Sequence, residues 1–308
     1  MIDVQHLRKQ YGDLVAVDDA TFSAAPGQVF GLLGPNGAGK STTIGCISGL
    51  LRPTGGIVRI LGRDIVTDGS AARAALGVVP QELALYDELS ATENLRYWGA
   101  AYGMRGGDLR RRVSEVLEIV GLLDRADEPV KRFSGGMKRR LNFGCGIVHR
   151  PKVLLLDEPT VGVDPQSRVK LLDLVREQAR GGSSVLYTTH YMEEAQALCD
   201  RIAIVDHGAL IAMGTLGELR RMMGERDIVR FTGVFDPSRV RAVADLADAE
   251  VVSVDAESLI LAAEDASRRL PGIFAALAEA GAEIRETTLA QASLETLFIK
   301  LTGRDLRE

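Results

Sequence analysis

The sequence has no run of about 18 consecutive apolar residues, so no stretch of it reads as a membrane span. Its start, Met1-Ile2-Asp3-Val4, lacks the basic and apolar regions of a signal peptide. Any work at a membrane would therefore need a partner chain. Cysteine is scarce: only Cys46, Cys145 and Cys199, far apart and without a C-x-x-C pair. That odd number and wide spacing suit a reduced, cytoplasmic compartment, with each thiol a small core residue. A basic surplus is missing too. With 37 Lys and Arg against 42 Asp and Glu, the net charge of −5 gives no support to a nucleic-acid partner. What remains is an ordinary folded composition, 46% hydrophobic and 26% charged, in 308 residues, enough for one large domain or two.

Against that background one stretch carries chemistry. Gly34-Pro35-Asn36-Gly37-Ala38-Gly39-Lys40-Ser41, followed by Thr42, fits the phosphate loop G-x-x-x-x-G-K-[ST]. An apolar run, Val29 to Leu33, leads into it, and Thr42 to Leu50 reads as the start of a helix. Strand, glycine loop and helix are the context that the motif requires, because successive N–H groups then converge on phosphate oxygens at a helix N-terminus. Lys40 would reach the β- and γ-phosphates, and the Ser41 hydroxyl would ligate Mg²⁺. A chance glycine turn lacks these flanks. This is a nucleotide site.

Ahead of it, Ile2–Val4, Leu14–Val17 and Ala20–Ala24 alternate like a small antiparallel β-region broken by Pro26-Gly27, with Tyr11 just ahead of the second strand. Behind it, Ile57–Ile60 is a strand, and Gly77-Val78-Val79-Pro80-Gln81-Glu82 is a short strand ending in a polar loop. From about Ser90 to Val130 the periodicity is helical. Ser90-Ala91-Thr92-Glu93 has the form of a capping box, and Gly106-Gly107 is expected to separate two helices. Phe133-Ser134-Gly135-Gly136-Met137 opens a further helix, running to His149. The unalternating run Val153–Leu156 suits a parallel strand buried on both faces, and it ends in Asp157-Glu158. A helix over about 165–180 and a strand from Ser184 to Thr189, ending at His190, complete an α/β alternation with a mainly parallel sheet.

Taken in order, Gln81, Ser134-Gly135-Gly136, Asp157-Glu158 and His190 behind a phosphate loop resemble the ATP-binding subunit of an ABC transporter. The resemblance covers roughly residues 1 to 222, with a helical subdomain at about 90–150. Adenylate-kinase-like and GTPase folds lack the Ser-Gly-Gly signature and the later histidine. The resemblance implies that Tyr11 stacks on adenine, that Gln81 contacts Mg²⁺ or the attacking water, and that Asp157 holds Mg²⁺. It further implies Glu158 as the general base, His190 as the residue that links the γ-phosphate to Glu158, and Asp164 as a contact across a dimer. Ser134, Gly135 and Gly136 would meet the ATP held by a partner copy. The sequence departs from the family at Met137, where glutamine is usual, and in Val161-Gly162-Val163-Asp164, where a serine commonly stands first.

From about residue 223 the composition changes. Strands at Asp227–Thr232, Glu250–Val254, Ser258–Ala262 and Glu283–Leu289, with helices at Pro237–Leu246 and Arg268–Gly281, make a βαββαβ order, the ferredoxin-like arrangement. No cluster of His, Cys or paired acids stands out there, so binding or dimerisation is expected of residues 223–308. The closing stretch, Ser293 to Gly303, is similar to the last helix of drug- and antibiotic-resistance exporters of the ABC-2 group, and so are Glu193-Glu194-Ala195 and the segment from Asp206 to Thr215. The whole implies an ATPase that works as a homodimer or as one of a pair. It would power export of a small molecule, drug or lipid-like substrate through a separate transmembrane permease, from the cytoplasmic face of the membrane. A soluble ABC ATPase acting on DNA or ribosomes is opposed by the single phosphate loop and by the short spacing of Lys40 from Ser134. An importer ATPase is opposed by the small C-terminal region.

Overall fold

Apolar runs without alternation supply the middle of the first sheet, and alternating strands supply its flank. The computed structural model describes residues 1–223, 226–244, 249–290 and 294–302. The chain divides into two compact units, Met1–Ile211 and Ala212–Glu308.

The first unit begins with β1 (Ile2–Tyr11), β2 (Leu14–Ala24) and β3 (Val29–Leu33), followed by α1 (Lys40–Ile47), β4 (Gly55–Ile60), β5 (Arg63–Asp64), α2 (Gly69–Ala74) and β6 (Leu76–Val79). A helical stretch follows: α3 (Ala91–Ala101), α4 (Gly106–Ile119) and α5 (Gly135–Ile147). The chain then returns to the sheet with β7 (Val153–Asp157), α6 (Pro165–Arg180), β8 (Ser184–Thr189), α7 (Met192–Leu198), β9 (Arg201–Asp206) and β10 (Ala209–Gly214). The strands form one ten-stranded sheet in the order β5-β4-β1-β2-β10-β9-β3-β8-β7-β6. β9, β3, β8, β7 and β6 pair in parallel, whereas β1 pairs antiparallel with β2 and β4. Every residue of β3, β7 and β8 is buried, which is why those runs do not alternate.

Sequence and structure differ in two places here. The pieces Leu14–Val17 and Ala20–Ala24 are one strand, β2, and Tyr11 is the last residue of β1. Gly106-Gly107 does not separate the helices; it forms the first turn of α4. The break comes earlier. α3 stops at Tyr102, and Gly103 follows at φ 84°, with Met104 N–H donating to the Gly99 carbonyl and Gly103 N–H to that of Ala100. That is a Schellman end, for which a left-handed glycine is the usual residue. The capping box is present: Glu93 N–H donates to Ser90 Oγ at 3.2 Å, and Ser90 N–H donates to Glu93 Oε2 at 2.7 Å.

The second unit contains the end of β10, then α8 (Leu216–Met223), β11 (Arg226–Val234), α9 (Pro237–Ala244), β12 (Glu250–Val254), β13 (Ser258–Glu264), α10 (Ala266–Glu279), β14 (Glu283–Ala290) and α11 (Leu294–Thr302). Its antiparallel sheet has the order β12-β13-β11-β14, the ferredoxin-like arrangement read from the βαββαβ order. Val229, Phe231 and Leu261 bury one face against Ile273 and Leu277 of α10, while Ile228 and Ile260 of the other face meet Ile299 of α11. α8 packs on α11 within this unit. The expected helix residues Asp245, Leu246, Ser293 and Gly303 lie outside the described residues.

Candidate functional site

The phosphate loop joins the C-terminal end of β3 to α1, at the level where β7 and β8 also end. Gly39 is the N-cap of α1 at φ 98°, and a Cβ there would lie 2.3 Å from the Ala16 carbonyl oxygen. Only glycine fits that position. No side chain caps α1, so the N–H groups of its first turn keep their hydrogens for something outside the helix. Lys40, almost fully buried, donates from Nζ to the carbonyls of Gly34 at 2.8 Å and Pro35 at 2.9 Å. The same Nζ lies 2.9 Å from Glu158 Oε1.

Glu158 is the centre of the polar array. It follows Asp157 at the end of β7 with φ 43°, a left-handed value that a non-glycine residue holds at a cost of about 1–3 kcal/mol. The bend is held by Thr188, whose hydroxyl accepts the Glu158 N–H at 2.9 Å and donates to Asp157 Oδ1 at 2.7 Å. His190 Nδ1 lies 3.0 Å from Glu158 Oε2, which accepts, so the proton sits on Nδ1. Both carboxylate oxygens are thus engaged, one by Lys40 and one by His190.

A cavity of about 470 Å³ opens beside this array. Tyr11, Leu14 and Ala16 of the antiparallel strands line one side, and Asn36, Gly37, Gly39, Lys40, Ser41, Thr42, Gln81 and Glu158 line the other. Gly34, Pro35 and Ala38 belong to the same loop, buried behind its inner surface. The exposed ring of Tyr11 carries Lys9 Nζ 4.7 Å from its centroid. The residues fit a nucleotide with Mg²⁺. The uncapped helix start and Lys40 suit phosphate, and Ser41, Asp157 and Gln81 offer the hard oxygen donors that Mg²⁺ takes.

Ser134, Gly135 and Gly136 do not line this cavity. Ser134 is the N-cap of α5, its hydroxyl accepting the Met137 N–H at 3.3 Å. A Cβ on Gly136 would come within 2.2 Å of Ser167 Oγ, so close packing against α6 fixes that glycine. Met137 packs against the hydrophobic core, which accounts for an apolar residue where the family has a polar one. Asp164 caps α6, accepting the Ser167 N–H at 2.9 Å, and hydrogen bonds from Ser167 hold its carboxyl below the usual range.

Four supporting residues have roles that were not read from the sequence. Arg139 of α5 donates to the carbonyls of Gln81 and of Val161, the latter at 2.9 Å, tying the Gln81 loop to the segment before Asp164. Asn142, one turn on, accepts the Ala84 N–H at 3.0 Å and donates to the Pro80 carbonyl at 3.3 Å. It was the one detectable of the four, a lone amide in the apolar run Leu141–Val148. Thr188 carried no such mark, and Glu194 was read only within Glu193-Glu194-Ala195, a resemblance that gave it no role.

A parallel sheet with a phosphate loop, a histidine after the neighbouring strand β8 and an acidic pair at the end of the next, β7, defines a P-loop ATPase. The ABC transporter family model matches residues 17–161. The chain is 42% identical over 315 residues to the linearmycin resistance ATP-binding protein LnrL of Bacillus subtilis (strain 168), covering 100% of both chains. It is 38% identical to the Nod factor export ATP-binding protein I of Ralstonia nicotianae (strain ATCC BAA-1114 / GMI1000), covering 100% of this chain and 95% of that one. A solved ATP-binding subunit of an ABC transporter superposes with a TM-score of 0.67 at 33% identity, over 73% of this chain and 93% of that one. The chain belongs to the ABC transporter family, in the group of its ATP-binding proteins. It is an ATPase that takes ATP with Mg²⁺.

Proposed function

We propose that this chain hydrolyses ATP to power export of a small molecule, drug or lipid-like substrate through a separate membrane permease, at the cytoplasmic face of the membrane. Two relatives named for antibiotic resistance and for export support that direction. Among the described residues no helix is long and apolar enough to cross a membrane, consistent with a separate permease. The observation that carries the reading is Glu158, held between Lys40 and His190 at the rim of the cavity.

In this reading residues 1–222 form the ATPase and 223–308 an accessory domain. Tyr11 stacks on the adenine. Ser41, Asp157 and Gln81 hold Mg²⁺, which when bound neutralises charge on the β- and γ-phosphates. Lys40 gives up Glu158 Oε1 for phosphate oxygens, and that exchange frees the oxygen to take a proton from water. His190 keeps the other oxygen aligned through Nδ1. Ser134, Gly135 and Gly136 lie outside the cavity of their own chain, which supports a head-to-tail pair in which they face the ATP of a second copy, with Asp164 reaching across.

Glu158→Gln tests this. It keeps shape and removes basicity, so turnover should fall by ~10²–10⁴-fold with ATP affinity intact. The variant should accumulate as an ATP-dependent dimer by light scattering, and ADP should not produce it. Lys40→Ala should instead abolish nucleotide affinity by calorimetry. Normal turnover in Glu158→Gln would sink the assignment of the base.

A further inference from the structure

Behind His190 lies a polar cluster that the hydrolytic reading leaves unused. Side chains alternate along β8. Thr188 reaches Asp157 and Glu158, while Tyr187 and Thr189 face the opposite side, where both hydroxyls donate to Glu194 Oε2 at 2.8 Å. Glu194 stands in the first turn of α7 and is 2% exposed. Its other oxygen faces Arg168 of α6, with Nε at 3.4 Å and no in-line hydrogen among the described residues. The Arg168 guanidinium covers the Tyr191 ring, 4.6 Å from its centroid, and that ring lies 4.1 Å from the His190 ring. Thr189 Oγ1 also accepts the Tyr191 N–H at 2.9 Å. Of the two neighbours of His190 in sequence, Thr189 is therefore held by the carboxylate directly and Tyr191 through the Thr189 hydroxyl.

A buried carboxylate is costly unless its oxygens are satisfied. Here two hydroxyls satisfy one oxygen and the Arg168 charge lies beside the other, and burial followed by the Glu194 charge pushes the Tyr187 hydroxyl well up, keeping it a donor. Packing alone would be served as well by an apolar side chain.

We propose that Glu194 is a positioning residue for hydrolysis: it fixes the turn that presents His190 to Glu158, and through Arg168 it ties that turn to α6, whose N-cap is Asp164. The proposal rests on the reading of Glu158 and His190 as the hydrolytic pair.

The test uses the full chain, with its membrane component where turnover requires it. In protein labelled with ¹⁵N-histidine, the His190 ring signal is identified by its loss in His190→Ala. Glu194→Ala should shift that signal and leave those of His6, His149 and His207 in place. Turnover should fall about 10–100-fold with ATP affinity nearly unchanged, as when a group that orients a site residue is removed. The double variant with His190→Ala should be no slower than His190→Ala alone. Thr189→Val, which removes the shared hydroxyl without unpairing a charge, should reproduce the shift and serves if Glu194→Ala fails to fold. An unmoved His190 signal, or multiplicative losses in the double variant, overturns the proposal. Full turnover in His190→Ala overturns the hydrolytic reading along with it.

Discussion

Gly136 shows how a signature residue can be fixed from within its own chain. An added methyl would meet Ser167 Oγ at 2.2 Å and Cβ at 2.6 Å, at the junction of α5 with α6. Gly136→Ala is therefore expected to destabilise the fold by about 1–3 kcal/mol, the usual cost of overpacking. Thermal unfolding should show a smaller loss when the change is made in a Ser167→Gly background; an equal loss in both backgrounds would place the clash elsewhere. Residues of this kind also mark the limit of what the sequence discloses. Lys40, Asp157, Glu158 and His190 were legible because each ends a strand or loop in a fixed order, and the structure brings them together. Thr188, Arg139 and Glu194 were not. A threonine in a strand or an arginine on a helix is commonplace, and the partners of each are 22 or more residues away for Thr188 and Arg139. Glu194 differs: its hydroxyl partners are near in sequence, but nothing along the chain marks it as buried.

At the level of elements, the start of α3 was legible because a capping box is local: four consecutive residues contain both donors and both acceptors. Ser90→Ala should cost about 1 kcal/mol, measured by denaturant unfolding. The effect should depend on pH in a definite sense. The backbone N–H and then the hydroxyl of Ser90 hold the Glu93 carboxyl below its ordinary value. A depressed acid binds fewer protons folded than unfolded, so its contribution is complete above the ordinary glutamate value. It is lost as pH falls through the depressed one. The penalty of Ser90→Ala should therefore shrink under acid conditions; a penalty that grows there would contradict the box. The Gly106-Gly107 misreading has the converse cause. Two glycines look like a break, but the hydrogen bonds that end α3 belong to Gly103 and Met104, and a glycine pair can equally well begin a helix.

For the molecule as a whole, the ferredoxin-like order was legible from the succession of elements, since each strand follows its helix closely. The order of the large sheet was not. Nothing local says that β3 lies between β8 and β9 or that β10 borders β2. A fragment of residues 1–180 contains the phosphate loop, Asp157-Glu158 and Ser134–Gly136, yet it lacks both neighbours of β3. We expect it to bind no ATP by calorimetry, and a fragment of residues 1–215 to bind it; binding by the shorter piece would mean that the loop is organised without its sheet. The same placement of β3 has a consequence for synthesis. β3 is made early, but Val29–Leu33 has no strand to pair with until Val185–Thr189 and then Arg201–Ile204 emerge. At about 5–20 residues per second, the residues between Leu33 and Arg201 take roughly 10–30 s to translate. For most of that interval an apolar segment with unpaired backbone groups waits at the ribosome, so a strand made early in synthesis is secured only late in it.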